Sequence, residues 1–308
     1  MNKDKQKTIR LLSEKGILDL NGRPLADVPF QGKRVTAGDV SKEKAAVIVD
    51  KHEVWGFSEG KWTKELSTDI KLNCLCRSLD GRLLIGTERA CLAWVKDGEL
   101  DFVKSFDDVP ERKEWYTPWG GPPDVRSLAV ATDGTIYADV HVGWIVRSMD
   151  GGKTWKNLQE GLDIDVHQVA VHPHKPEIVF AATANGFYIS RDHGNTFVRQ
   201  GNGMPYYYQR ACACFADEDL YLVSTSRGPH GQADALLYHS EDGGRKWSAA
   251  KGLPGNISKN IDTFHITPIG EAKALVIIDD TALYETNDWG VNWREVGCDY
   301  PRLYGIIL

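Results

Sequence analysis

His141, His167 and His230 are the residues of this chain best suited to chemistry. Imidazole titrates near neutral pH and is the commonest transition-metal ligand. Three of them meeting at one point would hold a divalent transition metal with coordination left open for water or substrate, or would act without metal as acid, base and hydrogen-bond donor. Arg126, Arg210 and Arg227 are candidates to bind an anion, and Tyr208 to donate a proton. The segment Glu114-Trp115-Tyr116-Thr-Pro-Trp119-Gly120-Gly121 is aromatic where a linker should be polar. It reads as a binding loop or lid in which Trp115, Tyr116 and Trp119 cover the ligand, or else as an aromatic plug. Aromatic walls around cationic groups suit a small anionic or sugar-like molecule. No Gly-x-Ser-x-Gly elbow, no cysteine with an evident histidine partner and no phosphate-cradling glycine loop occurs.

These residues are far apart in sequence, so a fold must bring them together. Its signature is a phrase that recurs at Ser148, Ser190, Ser240 and Thr286, with spacings of 42, 50 and 46 residues. Each copy reads Ser/Thr-x-Asp-x-Gly-x-x-aromatic, through Asp150, Asp192, Asp242 and Asp288. An Asp that accepts nearby backbone N–H groups and a Gly that tolerates positive φ make a tight hairpin turn. The closing Trp or Phe then buries a large apolar surface at the start of the next strand. Ahead of each phrase lie three β-rich runs, as in Val125–Ala131, Thr135–Val140 and Trp144–Arg147.

The phrases resemble the Asp-box, or BNR, repeat of β-propellers, a family that includes sialidases, some endoglucanases, sortilin-type receptors and photosystem assembly factors. The resemblance implies an all-β fold of four-stranded antiparallel blades, one per repeat. Two earlier units without the phrase, starting near Arg34 and Leu72, bring the count to six. Thr8–Leu12, Gly16–Leu20 and Leu25–Val28 then combine with Arg302–Leu308 as a seventh blade, which removes exposed edges. Seven blades in one domain over residues 1–308 is the expectation; six is the alternative if the N-terminal piece is only a cap.

In such propellers the innermost strands start on the top face, and the Asp boxes lie on the opposite one. That implies structural roles for the four box aspartates, for His193 within a box, and for His172 and His174 at a turn. Aligned starts of the innermost strands give a column of Lys71, Arg126, His167, Arg210 and Asp262 around the top of the channel, with Asp124 and Asp165 preceding two of them. A polar lining of a water-filled channel would look the same. His141, His167 and His230 fall at the top of adjacent blades, which makes them the candidate metal ligands, with His167, His230 and Tyr208 the candidate catalytic groups. The sialidase pattern of three arginines, a Tyr/Glu pair and an Arg-Ile-Pro segment finds only Arg23-Pro24-Leu25 here. Arg126, Arg210 and Arg302 would come together only under a different strand assignment. The endoglucanases of the family use paired Asp residues across a two-propeller cleft, which one propeller cannot form.

The leading reading is an enzyme or binding protein for a small anionic molecule, with lyase or hydrolase chemistry that is metal-assisted or not. The alternatives are a protein-docking or assembly-factor propeller and a sialidase-like glycoside hydrolase. Net charge is −6 over 308 residues with Lys and Arg scattered, so no nucleic-acid stripe or membrane-binding tract is present, whereas a protein partner is compatible. Six cysteines lack metal-type spacing, and Cys74/Cys76 and Cys212/Cys214 place pairs on one strand face, where disulfides rarely form. With no apolar stretch behind the N-terminal charges, the expected compartment is the cytoplasm.

Overall fold

The computed structural model describes residues 9–41, 44–216 and 219–308. Their strands form a seven-bladed β-propeller. Six blades are four-stranded antiparallel sheets, with inner strands Val35–Ser41, Leu72–Arg77, Val125–Val130, Val166–Val171, Cys212–Cys214 and Ile266–Gly270 for blades 1 to 6. The second strands are buried on both faces, and their sequences show it. Leu83–Thr87 in blade 2 and Val179–Thr183 in blade 4 are continuous runs of small and apolar residues, because a neighbouring blade packs on either side. Outer strands meet water and turn polar, as in Lys61–Ser67 of blade 1. A separate apolar cluster fills each of the seven interfaces between adjacent blades.

Blade 7 joins the two ends of the chain. Leu303–Ile307 is its inner strand, pairing antiparallel with Arg10–Ser13, which pairs in turn with Gly16–Leu18. Thr8 lies outside the described residues. The expected fourth strand over Leu25–Val28 does not form. Pro24 has no N–H to donate, and pairing stops at the Leu18–Pro24 bridge with its two flanking backbone bonds, Asp19 N–H to Arg23 and Leu25 N–H to Ile17. It caps the blade instead, burying Val28 and Phe30, the latter edge-on to Trp62 at 5.2 Å.

The repeated phrases are turns between the third and fourth strands; in every copy the Ser or Thr hydroxyl accepts the box glycine N–H and the Asp Oδ1 accepts the N–H four residues on. In blade 5, Asp242 Oδ1 accepts the N–H groups of Arg245 (3.0 Å) and Lys246 (2.9 Å), and Ser240 Oγ accepts that of Gly244 (2.9 Å). Trp247 Nε1 closes the turn on the Gly244 carbonyl at 2.9 Å. Gly244 has φ +85°, and a Cβ there would lie 2.8 Å from Ile189 of the preceding blade; Gly290 is tighter still, 2.3 Å from Leu222. These glycines serve both the turn and the packing between blades. His193 lies in the blade 4 turn, where its carbonyl accepts from Tyr137 at 3.2 Å; His172 Nδ1 accepts the N–H groups of His174 and Lys175. All six cysteines are free, and no helix of the described residues is long and apolar enough to cross a membrane.

One buried carboxyl stands out in the wall of blade 3. Asp139 is fully buried, with Ser127 Oγ donating to it at 2.6 Å and its Oδ1 unpartnered. Burial raises its pKa to about 6 against the lowering effects of Ser127, Arg126 and His141.

Removing Arg302–Leu308 deletes the inner strand of blade 7 and exposes both the Arg10–Ser13 edge and two apolar interfaces. The melting temperature of the truncated protein is expected to fall sharply, and an unchanged melt would contradict the pairing. Asp242→Ala removes the two backbone bonds of its turn and is expected to destabilise the fold by about 0.5–2 kcal/mol in chemical unfolding. For Asp139, the unfolded chain loses the proton near pH 4 while the folded one keeps it to about pH 6. Its contribution to stability therefore falls as pH rises through that window and is flat above it. Relative to Asp139→Asn, the wild type should lose on the order of 2–3 kcal/mol of unfolding free energy between pH 4 and pH 7.

Candidate functional site

A repeated backbone device supplies the channel mouth with side chains. In the inner strands of five blades one residue is bulged out of the ladder: Thr36, Asn73, Arg126, His167 and Tyr304. The residue before each bulge, Val35, Leu72, Val125, Val166 or Leu303, is completely buried in a blade interface. Four of the five bulged residues line a cavity of about 380 Å³ at the mouth, and the fifth, His167, is fully buried against the Tyr208 ring. Two positions earlier, the carbonyls of Lys71, Asp124 and Asp165 accept the N–H groups of Glu88, His141 and Ala184. Lys71 therefore belongs in register with Asp124 and Asp165, and Asn73 takes the place in the column that the sequence alignment gave to Lys71. Blade 6 has a turn at this point, Asp262 to His265, in which Phe264 adopts φ +68° and borders the upper cavity and both cavities below it.

His141 and His167 come together, with Asp165 between them. The Asp165 Oδ1 atom is 3.3 Å from His141 Nε2 and 3.4 Å from His167 Nε2, and the three ligating atoms all lie within 4.8 Å of one another. His141 sits at the start of a turn in which Val142 (φ 53°) and Trp144 (φ 63°) adopt conformations costly for bulky residues. The turn is held by the Ile164 carbonyl, which accepts from Gly143 and Trp144, both at 3.0 Å. His167 Nδ1 lies 2.6 Å from the Gln209 carbonyl, which fixes the proton on Nδ1 and leaves Nε2 as a lone pair. Burial holds the His167 imidazole below its ordinary pKa, against the pull of Asp165. His167 Nε2 and Asp165 Oδ1 are both buried without a hydrogen-bond partner. Burial also opposes the charge of Asp165, and the His141 imidazole, first among the groups that outweigh it, holds the carboxyl well below its usual range.

Next to this group, Asp262 bridges two arginines from different blades, with Arg126 Nη2 at 3.0 Å and Arg210 Nη1 at 3.1 Å. Burial opposes its charge, and the two guanidinium groups overcome that and keep it ionised. Arg210 also donates to the Tyr208 hydroxyl from Nε (3.2 Å) and Nη2 (3.1 Å), and the Tyr208 ring packs on His167 with centroids 4.8 Å apart. Lys51, Lys71, Arg126 and Arg302 line the cavity, as do Asp124, Asp262 and Asp280. Asp262 is already shared by two cations, and Asp280 by Lys259 and Arg302. Neither Lys51 nor Lys71 has an ion pair among the described residues. Burial first, then Lys71 and Arg34, push the Lys51 ammonium below its ordinary pKa, against the pull of Asp124.

The remaining expected residues fall elsewhere. Trp115 is 7% exposed in the core shared by blades 2 and 3, against Phe106 at 5.6 Å, and so anchors its loop. Tyr116 is half exposed, and Trp119, 72% exposed, is the loop residue that reaches the cavity, its ring tilted by 41° against His141 with centroids 5.0 Å apart. Arg227 is spent on Asp234 (3.0 Å) and the Tyr206 hydroxyl (3.1 Å). His230 is exposed on the same loop and is not part of the His141 group. Arg302, set apart from Arg126 by the sequence argument, shares the cavity with it. Lys51 and Asp280 were not among the expected residues; they sit in turns after second strands, where His141 also sits, and that shared position was the available signal.

No family model matches the chain. The xyloglucanase of Hypocrea jecorina (strain QM6a) is 22% identical over 169 residues, which is 53% of this chain and 20% of that protein, so the chain spans about a fifth of this curated relative. The fold is similar to that of an ancestral GH74 enzyme, with TM-score 0.62 and 15% identity, covering 88% of this chain and 38% of the other. It is also similar to YCF48 bound to a D1 peptide, with TM-score 0.61 and 12% identity, covering 91% of this chain and 89% of the other. At these identities the likeness is one of fold, and the fold is the β-propeller.

Proposed function

We propose that the protein binds a small anionic molecule at the mouth of its central channel, and that this cavity is its working site. The observation that carries the reading is the uncompensated positive charge there. Lys51 and Lys71 line the recess without an ion pair among the described residues, with Asp124 the one lining carboxylate not already held by other cations, and a bound anion would favour the Lys51 ammonium against the burial and the neighbouring cations that lower its pKa. Arg126 commits Nε and one Nη to Thr263 and Asp262, which orients the remaining guanidinium donors. Trp119 supplies an apolar wall. The cytoplasmic compartment expected from the sequence is compatible with such a ligand and belongs to the same proposal.

Glycoside hydrolysis by paired carboxylates, suggested by the xyloglucanase and GH74 likeness, fits this cavity less well. It requires one carboxylic acid that keeps its proton near neutral pH. Of the three lining carboxylates, Asp262 is held ionised by two arginines and Asp280 is engaged by Lys259 and Arg302, which leaves Asp124 alone rather than a pair. A docking role, suggested by the YCF48 likeness, rests on the exposed aromatic rim of Tyr116 and Trp119. It requires a peptide rather than a small ion as ligand.

Calorimetric titration with small carboxylates, uronates, phosphates and sulfates tests the proposal. At least one anion class is expected to bind, and Lys71→Ala and Arg126→Ala should each weaken it by about 1.5–3 kcal/mol. Arg227→Ala should not. Affinity should fall as pH rises toward the alkaline side, at lower pH than an ordinary lysine would give, and Lys51→Met should flatten that fall. Binding of neutral sugars or peptides with no response to these anions would refute the reading.

A further inference from the structure

We propose that His141, Asp165 and His167 form a binding site for one divalent transition-metal ion, of the Zn²⁺ or Co²⁺ kind, at the side of the channel mouth. Two of the three spacings fit: two ligands each about 2.0–2.1 Å from a tetrahedral ion lie about 3.3–3.4 Å apart, and the two contacts to Asp165 Oδ1 measure 3.3 and 3.4 Å, while the two imidazole nitrogens, within 4.8 Å of each other, must meet the same spacing in the loaded site. The protonation pattern also fits. With its proton on Nδ1, His167 presents a lone pair to a carboxylate oxygen, and two electron-rich atoms facing each other in a buried site repel unless a cation lies between them. The Nδ1 bond to the Gln209 carbonyl is the outer contact that orients a ligating imidazole and raises its basicity.

The donor set selects the ion. Two imidazoles and a carboxylate suit Zn²⁺, Co²⁺ and their neighbours; Ca²⁺ and Mg²⁺ require oxygen ligands, and Cu⁺ requires sulfur. Three protein ligands leave at least one position for water or for an oxygen of a bound molecule. His141 belongs to both the ligand group and the cavity wall, so that position borders the anion-binding recess. His230, the third ligand expected from blade order, is replaced by Asp165. The ion site stands on its own donors and does not depend on an anion binding beside it.

Metal analysis of protein purified without chelator, followed by Co²⁺ titration of the chelator-treated protein, tests the site. One equivalent of bound ion is expected, with the visible absorption of four-coordinate Co²⁺ and a higher melting temperature on loading. His141→Gln and Asp165→Asn should each weaken Co²⁺ binding by at least about tenfold, while His230→Ala leaves it unchanged. Should Asp165→Asn fail to fold, His141→Gln, at the more open end of the group, carries the comparison, with a normal melt as its control. Lys71→Ala should retain full Co²⁺ uptake, so a failure of the anion reading would leave this result intact. Wild-type protein that binds Co²⁺ and Zn²⁺ no more tightly than folded His141→Gln would overturn the proposal and leave a proton-sharing group in its place.

Discussion

The channel mouth depends on the β-bulge near the start of the inner strands. Each side chain of a regular inner strand must point toward one of two neighbouring blades, and both interfaces are apolar. A bulge breaks the alternation of two and opens a third direction, edgewise into the channel. The buried Val125 and Val166 hold the strands in their interfaces while Arg126 and His167, one residue later, leave the ladder. Without that break, an arginine or histidine here would desolvate its polar atoms against a blade face. Repetition around the ring then converts one local irregularity into a circle of convergent side chains.

Convergence creates an electrostatic problem that the molecule solves only in part. Asp262 ties blade 3 to blade 5 through Arg126 and Arg210, and Asp280 joins Lys259 and Arg302. These two carboxylates are each shared between two cations, which leaves Lys51 and Lys71 facing only Asp124 in the cavity lining. Burial is unfavourable for the Lys51 ammonium, which therefore lowers the stability of the ring unless a ligand brings negative charge. The histidine group shows the same shortage in a different form: Asp165 faces one lone pair that cannot donate to it.

Much of this architecture can be read from the sequence because turn chemistry is local. Ser240, Asp242, Gly244 and Trp247 close their turn within eight residues, and the spacing of such turns counts the blades and assigns the two faces. The pairing of Arg10–Ser13 with Leu303–Ile307 followed from the need to cover an edge. The site was harder to read. His141 and His167 could be matched by their places in successive blades, but His230 lies in a long loop whose path no periodicity specifies, and it turns out to water. Asp165 was visible as a residue preceding His167, yet only the bulge at His167 brings both side chains to one point. The register of Lys71 was displaced by two for the same reason. Trp115 and Trp119, four apart in one aromatic stretch, carry no sequence mark to show that one is core and the other rim.

Strain is held on both faces. In the box turns positive φ falls on glycines such as Gly244 and Gly290 but also on His193 (φ 59°) and Trp289 (φ 56°). At the channel mouth it falls on Val142, Trp144 and Phe264, residues for which it costs about 1–3 kcal/mol each. Nothing in their own turns repays that. The opposing free energy comes from the seven apolar interfaces, which act together because closing blade 7 leaves no blade with an uncovered face. A ring of this kind can hold His141 in a strained turn and His167 in a bulge at one point. The sheet closure that makes the fold recognisable is therefore also what keeps an unfavourable group of polar side chains in place.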